Sequence, residues 1–536
     1  MKKPTKVILA LLALLIIGFI YYYVTLPAIN IHAGGFWTFL IVLLAVLVGF
    51  YILSRLKKGE NIKDVKQNKL FKIGIGAILL VVVVYLIGSL LSSPIVNAKK
   101  YQKLLTVKDG EFTEDIDQVS FDQIPLLDRD SATLLGNRKM GSLVEMVSQF
   151  EVSPLYTQIN YKGRPVRVSP LQYASPIKWL TNRKEGIPAY MMIDMANQDT
   201  ECVKLENGIK YSPSEYFNRN IYRHLRFNYP TYIFDEISFE LDEEGTPYWV
   251  CPVKKYSIGL FGGQVIGRVV LCNAITGETM DYPIEDVPSW IDRAYSADLL
   301  VQLFDYYGTL KHGYFNSILG QKDCLQTTNG YNFIAQDDDV WVYTGVTSVT
   351  ADQSNVGFVL MNQRTMETKF YKIEGAVEVS AMSSAEGQVQ NLGYRATFPL
   401  LLNIANEPTY FIALKDDAGL VKKYAMVNVQ KYQLVAIGDT VQQCEKQYIT
   451  LLNTSGISAE ATAAATQSKT GVIAKIAQGV IEGNSHYYLM LEGSDEIFDV
   501  SVVEFLDIIR YNVGDRITIE YTPGANANIA LGISKE

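Results

Sequence analysis

Three runs of residues near the N-terminus carry no charge. Val7–Val24 reads VILALLALLIIGFIYYYV, Phe36–Leu53 reads FWTFLIVLLAVLVGFYIL, and Ile73–Leu91 reads IGIGAILLVVVVYLIGSLL. At 1.5 Å per residue, such a run rises about 27 Å as a helix, close to the hydrocarbon thickness of a bilayer. In lipid a spanning segment must pair its backbone internally, which a helix does. The pattern predicts three transmembrane helices, 7–24, 36–53 and 73–91, in a membrane domain over 1–98. Tyr21, Tyr22 and Tyr23 stand where a cleavable signal would need small residues. Aromatic residues there suit a membrane interface, so the first run reads as a retained anchor.

The pattern changes after Ser92. Residues 99–130 are acidic and lack periodicity, as in a juxtamembrane stalk or irregular layer. Apolar–turn–apolar units then recur at Ala189–Leu205, Gly267–Ile284, Val356–Ile373 and Tyr410–Val427. Each has an apolar strand, a polar turn rich in Asn, Asp or Gly, and a second alternating strand, which predicts a β-hairpin. Two share V-L-x-N-x-x-T-x-E-T, at Val270–Thr279 and Val359–Thr368. Asn273 and Asn362 can cap their turns, and Gly277 tolerates a positive φ where the other copy has Met366. Helical spacing appears at Thr133–Phe150, Ser214–Leu225 and Val287–Tyr307, the last with Ser289, Ser296 and Asp298 as caps and Gly308 as a stop.

This reading divides the exported part into an α+β module over 131–310, a second β-rich module over 311–456, a linker over 457–470 and a small β-barrel over 471–536. Five short strands in the last segment suit a closed barrel of OB or SH3 type. The fold class is therefore a membrane protein. Three N-terminal transmembrane helices precede an α+β ectodomain of repeated hairpins and short helices, which ends in that barrel.

Charge orients the chain. Of 48 basic and 56 acidic residues, the first hundred positions hold 12 and 2, leaving 36 and 54 beyond, a net of −18. Lys2, Lys3 and Lys6, and the link carrying Arg55, Lys57, Lys58, Lys63, Lys66, Lys69 and Lys72, belong on the cytoplasmic side. A third crossing then sends everything after about residue 92 outside. An acidic ectodomain argues against nucleic acid as a partner. In the barrel, Lys475 and Arg510 face Glu482, Glu492, Asp495, Glu496, Asp499, Glu504 and Asp507, the wrong field for stacking bases on Tyr487 and Tyr488.

The segment GRVVLCNAITGETMDY at 267–282, with N-A-x-T-G-E at Asn273–Glu278, resembles the strand–turn–strand end of PepSY-type domains. Those are small α+β modules exported by bacteria, some acting as protease inhibitors. The helix Ser214–Arg226 and the strand pair Ile233–Pro252 fit such a module of roughly 70 residues. The resemblance implies an exported envelope module and supplies no catalytic residue. Three membrane helices before such repeats also look like multi-pass exported proteins of Gram-positive bacteria.

Catalytic, cofactor-binding and metal-ligating constellations are not expected. Cys202, Cys251, Cys272, Cys324 and Cys444 form no Cys-x-x-Cys pair. Cys251 and Cys272 fall in strands that can be neighbours, either as buried thiols or as a bridge. His32, His224, His312 and His486 are scattered along the chain. His224 lies among Arg219, Arg223 and Arg226, and His312 follows Asp305 by seven positions. Asp337, Asp338 and Asp339 lack a calcium-loop spacing and read as a solvated turn, as do Asp242–Gly245. Gly259–Gly267 (GLFGGQVIG) lacks the Lys-Ser/Thr of a phosphate loop and reads as a tight hairpin whose tip can meet a partner.

The expected function is noncatalytic, an envelope scaffold or protein-binding membrane protein acting through its exported ectodomain. Its partners are the lipid bilayer and another envelope protein or complex. Two alternatives stand beside it. One is an envelope hydrolase with a carboxylate-based site, which requires two close carboxylates in a cleft. The other is an accessory subunit of a membrane transport complex, with small residues at Gly74, Gly76 and Gly88 packing against other helices.

Overall fold

The computed structural model describes residues 3–118, 124–125, 127–336, 338–348, 354–457, 467–481, 484–502, 505–522 and 527–535. Asp337, Glu504 and positions 458–466 of the expected linker lie outside the described residues. The chain forms two compact units, one of Met1–Glu111 with Pro125–Glu378, the other of Phe112–Ile124 with Val379–Glu536.

The first unit begins with helices α1 (Lys3–Thr25), α2 (Gly34–Leu56), α3 (Ile62–Gln67), α4 (Lys69–Ser92) and α5 (Pro94–Gln102). Among the described residues, two of them, α2 and α4, are long and apolar enough to cross a membrane. Leu79, Leu80, Leu86 and Leu90 of α4 are all more than half exposed. An apolar helix bare on most of its surface is a membrane helix, because water would penalise each of those side chains. Asn68 caps α4, accepting from Leu70 N–H at 3.0 Å. Gly74 lets Val48 of α2 approach: a Cβ there would lie 2.6 Å from a Val48 methyl.

Beyond α5 and the short strand β1 (Val107–Asp109) come helices α7 (Arg129–Gly141) and α8 (Val144–Val147), then three antiparallel meanders. The first contains β2 (Phe150–Val152), β3 (Thr157–Tyr161), β4 (Arg164–Tyr173), β5 (Ile187–Asp194) and β6 (Thr200–Ile209), with α9 (Pro176–Asn182) between β4 and β5. After α10 (Ile221–Asn228), the second runs β7 (Ser238–Leu241), β8 (Pro247–Ile258), β9 (Gly262–Asn273) and β10 (Thr279–Pro283). After α11 (Ala297–Thr309), the third contains β11 (Leu325–Thr327), β12 (Asn332–Gln336), β13 (Asp339–Ser348), β15 (Gly357–Asn362) and β16 (Thr368–Tyr371), extended by β1. The pair β14 (Ser354–Asn355) and β17 (Gly375–Ala376) lies beside it.

The second sheet is buried on both faces. Trp249 and Cys251 enter a core shared with Val168, Met191 and Phe239. Val250, Val269 and Leu271 enter another with Val342, Val359 and the α11 residues Leu300, Leu303 and Phe304. This explains why Tyr248–Val253 reads as an almost continuous apolar run and not as an alternation.

The repeated motif has a structural meaning, and it occurs three times. Asp194, Asn273 and Asn362 each end the strand before a turn. Each side-chain oxygen accepts from the backbone N–H groups two and three residues on, at 2.8–3.1 Å. The fourth residue on takes a positive φ: +66° at Gln198, +78° at Gly277 and +64° at Met366. Asn197, Thr276 and Thr365 then accept from the amide two residues later. DMANQDT, NAITGET and NQRTMET thus encode one turn.

Helix boundaries depart from expectation. Residues 133–150 form two helices and the start of β2, and α10 begins at Ile221, capped by Asn220. The segment expected as one helix from Val287 becomes helical only at Ala297, where the Ser296 side chain accepts from Leu299 N–H. Pro288 and the buried Ile291 precede it as irregular chain. Gly308 lies inside α11 because its close approach to Leu325 O tolerates no Cβ.

In the second unit, α6 (Phe112–Asp115) and its following residues join α12 (Glu378–Gln388) and a sheet of β18 (Arg395–Ala396), β19 (Leu400–Ile404), β20 (Glu407–Lys415), β21 (Val421–Asn428) and β22 (Val435–Gly438). Asn403 Nδ2 donates to Ile116 O at 2.8 Å. Helix α13 (Val441–Thr454) opens with a capping box between Thr440 and Gln443 and buries Cys444, Tyr448 and Leu452. The expected barrel is present and closed. β23 (Gln467–Ile481), β24 (Asn484–Leu491), β25 (Ile497–Ser501), β26 (Arg516–Thr522) and β27 (Asn528–Lys535) close in the order β23-β24-β25-β27-β26. Ile473, Leu489, Phe498, Val500, Ile517 and Ile519 fill it.

Gly277→Ala tests the shared turn. An L residue in left-handed backbone costs roughly 1–2 kcal/mol, and the added Cβ would lie 2.2 Å from the Tyr211 ring. The expected result is a loss of at least that size, read as faster amide exchange along β9 and β10.

Candidate functional site

Residues near the start of each of the three meanders line a cavity of about 350 Å³. Thr157 and Gln158 of β3, Ile237 beside β7 and Phe333 of β12 line it. Arg167 projects from β4 into its wall and is 94% buried. Its hydrogen bonds are long, 3.4 Å to Leu127 O and 3.4 Å to Gln158 Oε1. Burial lowers its pKa to about 10, partly opposed by the charge of Asp128, so the guanidinium stays charged at neutral pH. At the rim, Arg293 pairs with Glu236 at 2.6 Å and Tyr331 donates to Asp298 at 3.2 Å. Both carboxylates lining the cavity are thus engaged. A buried cation walled by Tyr331 and Phe333 suits an acidic group on a ligand or partner better than acid–base chemistry.

Two close carboxylates do exist, but not in a cleft. Glu240 of β7 is fully buried and Asp292 nearly so. Both Glu240 oxygens accept, from Ser238 Oγ at 2.7 Å and from Asp292 N–H at 2.9 Å. Asp292 Oδ2 accepts from Asn160 N–H at 2.7 Å, while its Oδ1 has no partner. Burial raises both pKa values, and Glu240 raises that of Asp292 further. Asp292 is therefore the member that keeps its proton. The folded chain holds protons that the unfolded chain releases above the ordinary carboxylate range. Stability is full below that range and falls as pH rises through the raised values. Asp292→Asn is expected to raise the unfolding temperature at pH 8 and leave it unchanged at pH 4, a gain on the order of 1–3 kcal/mol. Thermal unfolding at the two pH values checks this.

The glycine-rich segment is a hairpin tip, and it meets the chain's own membrane helices. Leu260 and Phe261 donate their backbone N–H groups to Ser92 Oγ at 2.8 and 3.1 Å, and that hydroxyl donates to Gly88 O at 2.6 Å. Gly259, at φ +61°, would press a Cβ to 2.4 Å from Ser92 Oγ. The Phe261 ring packs against Tyr85 and Trp37, at centroid separations of 5.0 and 6.1 Å. His32 Nδ1 lies 2.7 Å from Leu260 O; a carbonyl only accepts, so Nδ1 carries the proton. The link after α1 is held as well. Arg226 is buried and donates to the carbonyls of Leu26, Tyr229, Pro230 and Tyr232. Ile29 N–H donates to Pro230 O at 2.7 Å.

Gly88 therefore meets Leu260, and Gly74 meets Val48, while nothing lies near Gly76. Ser92→Ala removes the acceptor of two half-buried amides at a cost of roughly 1–3 kcal/mol. The amides of Leu260 and Phe261 should then exchange at least roughly tenfold faster, measured by hydrogen exchange.

The other singled-out residues serve the fold. His224 Nε2 donates to Gly277 O at 2.8 Å and its ring packs on Tyr211. His312 pairs with Asp323, not Asp305, whose carboxylate accepts from Thr327. His486 pairs with Asp499 on the neighbouring strand. The Asp242 turn is as expected, its side chain accepting from Glu244 and Thr246 N–H. Asp339 is not solvated: it is buried, paired bidentately with Arg364 at 2.6 and 2.8 Å and bonded to Asn362. All five cysteines are free. Cys251 and Cys272 enter one core from paired strands, with Cys272 opposite Trp249. No cluster of three metal-ligating side chains is found among the described residues. Neither Arg167 nor Arg226 had a sequence signal, since their roles come from burial.

No family model and no curated protein matches this chain. Among solved structures, a monoclinic crystal form of an ACO/RPE65 chimera aligns over 74% of this chain and 64% of its own, at 7% identity and a TM-score of 0.14. The chain spans less than two thirds of that structure's length, and so low a TM-score bears on neither fold nor function.

Proposed function

We propose that the chain is a membrane-anchored envelope protein that acts by binding, as a scaffold or protein-binding module. The observation that carries this reading is the joint at Ser92. A hairpin tip bonded to the end of α4 holds the second sheet of the first unit against the membrane helices of that same unit, which a flexible tether would not do. In this reading α1, α2 and α4 all cross, the N-terminus and the basic link 54–72 are cytoplasmic, and everything after about residue 92 is outside. The aromatic collar of Tyr85, Trp37 and Phe261 supports an interfacial position for the joint.

Binding has two supporting surfaces. The cavity offers Arg167 to an acidic group. Strand β6 pairs with β5 on one side only, and a free edge accepts an extended peptide. Its Glu201, Lys204 and Glu206 guard it against indiscriminate pairing. The barrel belongs to the OB type in this reading, supported by its strand order and by the parallel pairing of β25 with β27. The segment 267–282 carries the PepSY-type resemblance as one local unit within the second meander. The hydrolase reading loses support because Glu240 and Asp292 are closed off from any cleft. The transport-subunit reading loses support because Gly74 and Gly88 are occupied within the chain.

Protease added to intact spheroplasts is expected to digest the acidic part and spare residues 54–72. Cross-linking in cells before gentle solubilisation is expected to yield a reproducible envelope partner that is lost in the double variant Arg129→Glu/Arg293→Glu, both arginines lining the cavity. Failure to recover any reproducible partner would sink the scaffold reading.

A further inference from the structure

Helix α9 buries none of its residues. Ile177 is 72% exposed and Leu180 56%. Phe217 stands beside them, 61% exposed, with a left-handed backbone at φ +52°. A bulky residue in that conformation is strained, and here the strain goes with an aromatic ring turned outward. Trp179 joins the two segments, with its ring 4.7 Å from Tyr216 and 6.0 Å from Phe217, and its N–H on the buried Glu215. Water gives no reason for this exposed cluster.

The surrounding charge is equally unusual. The exported part is net acidic by 18, yet residues 176–184 and 216–227 together hold six basic residues and no acidic one. They are Lys178, Arg183, Lys184, Arg219, Arg223 and Arg226, of which only Arg226 is buried.

The cluster is continuous with the end of α1. The Arg223 guanidinium lies 4.2 Å from the Tyr23 ring centroid and donates to Phe217 O at 2.7 Å. Phe227, also exposed, packs on Tyr22 and Tyr23 at 5.9 and 6.0 Å. Where Tyr22 and Tyr23 mark the membrane interface, Phe217 and α9 lie beside that same interface.

We propose that α9 and residues 216–227 form a second, peripheral membrane contact. Ile177, Leu180 and Phe217 enter the interfacial zone, and Lys178, Arg183, Lys184 and Arg219 meet anionic headgroups. The proposal rests on the reading that α1 ends at a membrane surface.

The test uses the full chain, reconstituted in vesicles of phosphatidylcholine and phosphatidylglycerol in equal parts. A photoreactive benzophenone side chain replaces Phe217, Leu180 or, as the control within α2, Leu47. Lipid adducts are expected at all three positions. Changing Arg183, Lys184 and Arg219 to Gln should lower the yield at 217 and 180 at least roughly tenfold and leave Leu47 unchanged. Adducts at Leu47 with only protein adducts or none at 217 and 180 would overturn the contact while sparing the anchor. Yields at 217 and 180 that ignore the three substitutions would overturn the role of anionic headgroups. No lipid adduct at Leu47 would overturn the anchor and the proposal with it.

Discussion

The first unit depends on one serine hydroxyl. Ser92 ends α4 and accepts two amides from the tip of the β8–β9 hairpin. A hairpin tip leaves donors that its own strands cannot satisfy, and away from water each needs an acceptor. Here the acceptor comes from the end of a membrane helix, where a hydroxyl can also return its proton to the Gly88 carbonyl. The same bond thus completes the sheet and the helix. Two long strands, β8 and β9, carry that constraint from the tip into the cores on both faces of the second sheet.

Much of this architecture was legible because it follows from simple periods. The uncharged runs led to α2 and α4, and the apolar–turn–apolar units led to hairpins at all four expected places. The closed barrel followed from short strands punctuated by Gly and Asn. Helix starts were harder to read. Val287–Ser296 is apolar enough to resemble a helix, but Pro288 and Pro283 favour extended chain, and Ile291 reaches the core without one. The first copy of the shared turn was also hidden, since DMANQDT matches NAITGET only by side-chain role.

The candidate site was less legible for a physical reason. The cavity is lined by residues from β3, β4 and β12 and from the segment before β7, which are far apart in sequence, and Arg167 differs from any surface arginine only by its burial. Asp339 shows the reverse case. Three adjacent aspartates suggest a wet turn, yet the last begins β13, is buried, and pairs with Arg364. Local composition describes a segment's average, and function here belongs to individual side chains that depart from it.

The seat of Arg226 has one further consequence. A guanidinium held by four main-chain oxygens has no titrating counter-ion to lose, and His32 donates from Nδ1 to another main-chain oxygen, that of Leu260. Neither acidification nor rising salt removes an acceptor from this clasp. The clasp thereby rests on neutral dipoles, even where ion pairs elsewhere on the chain come and go.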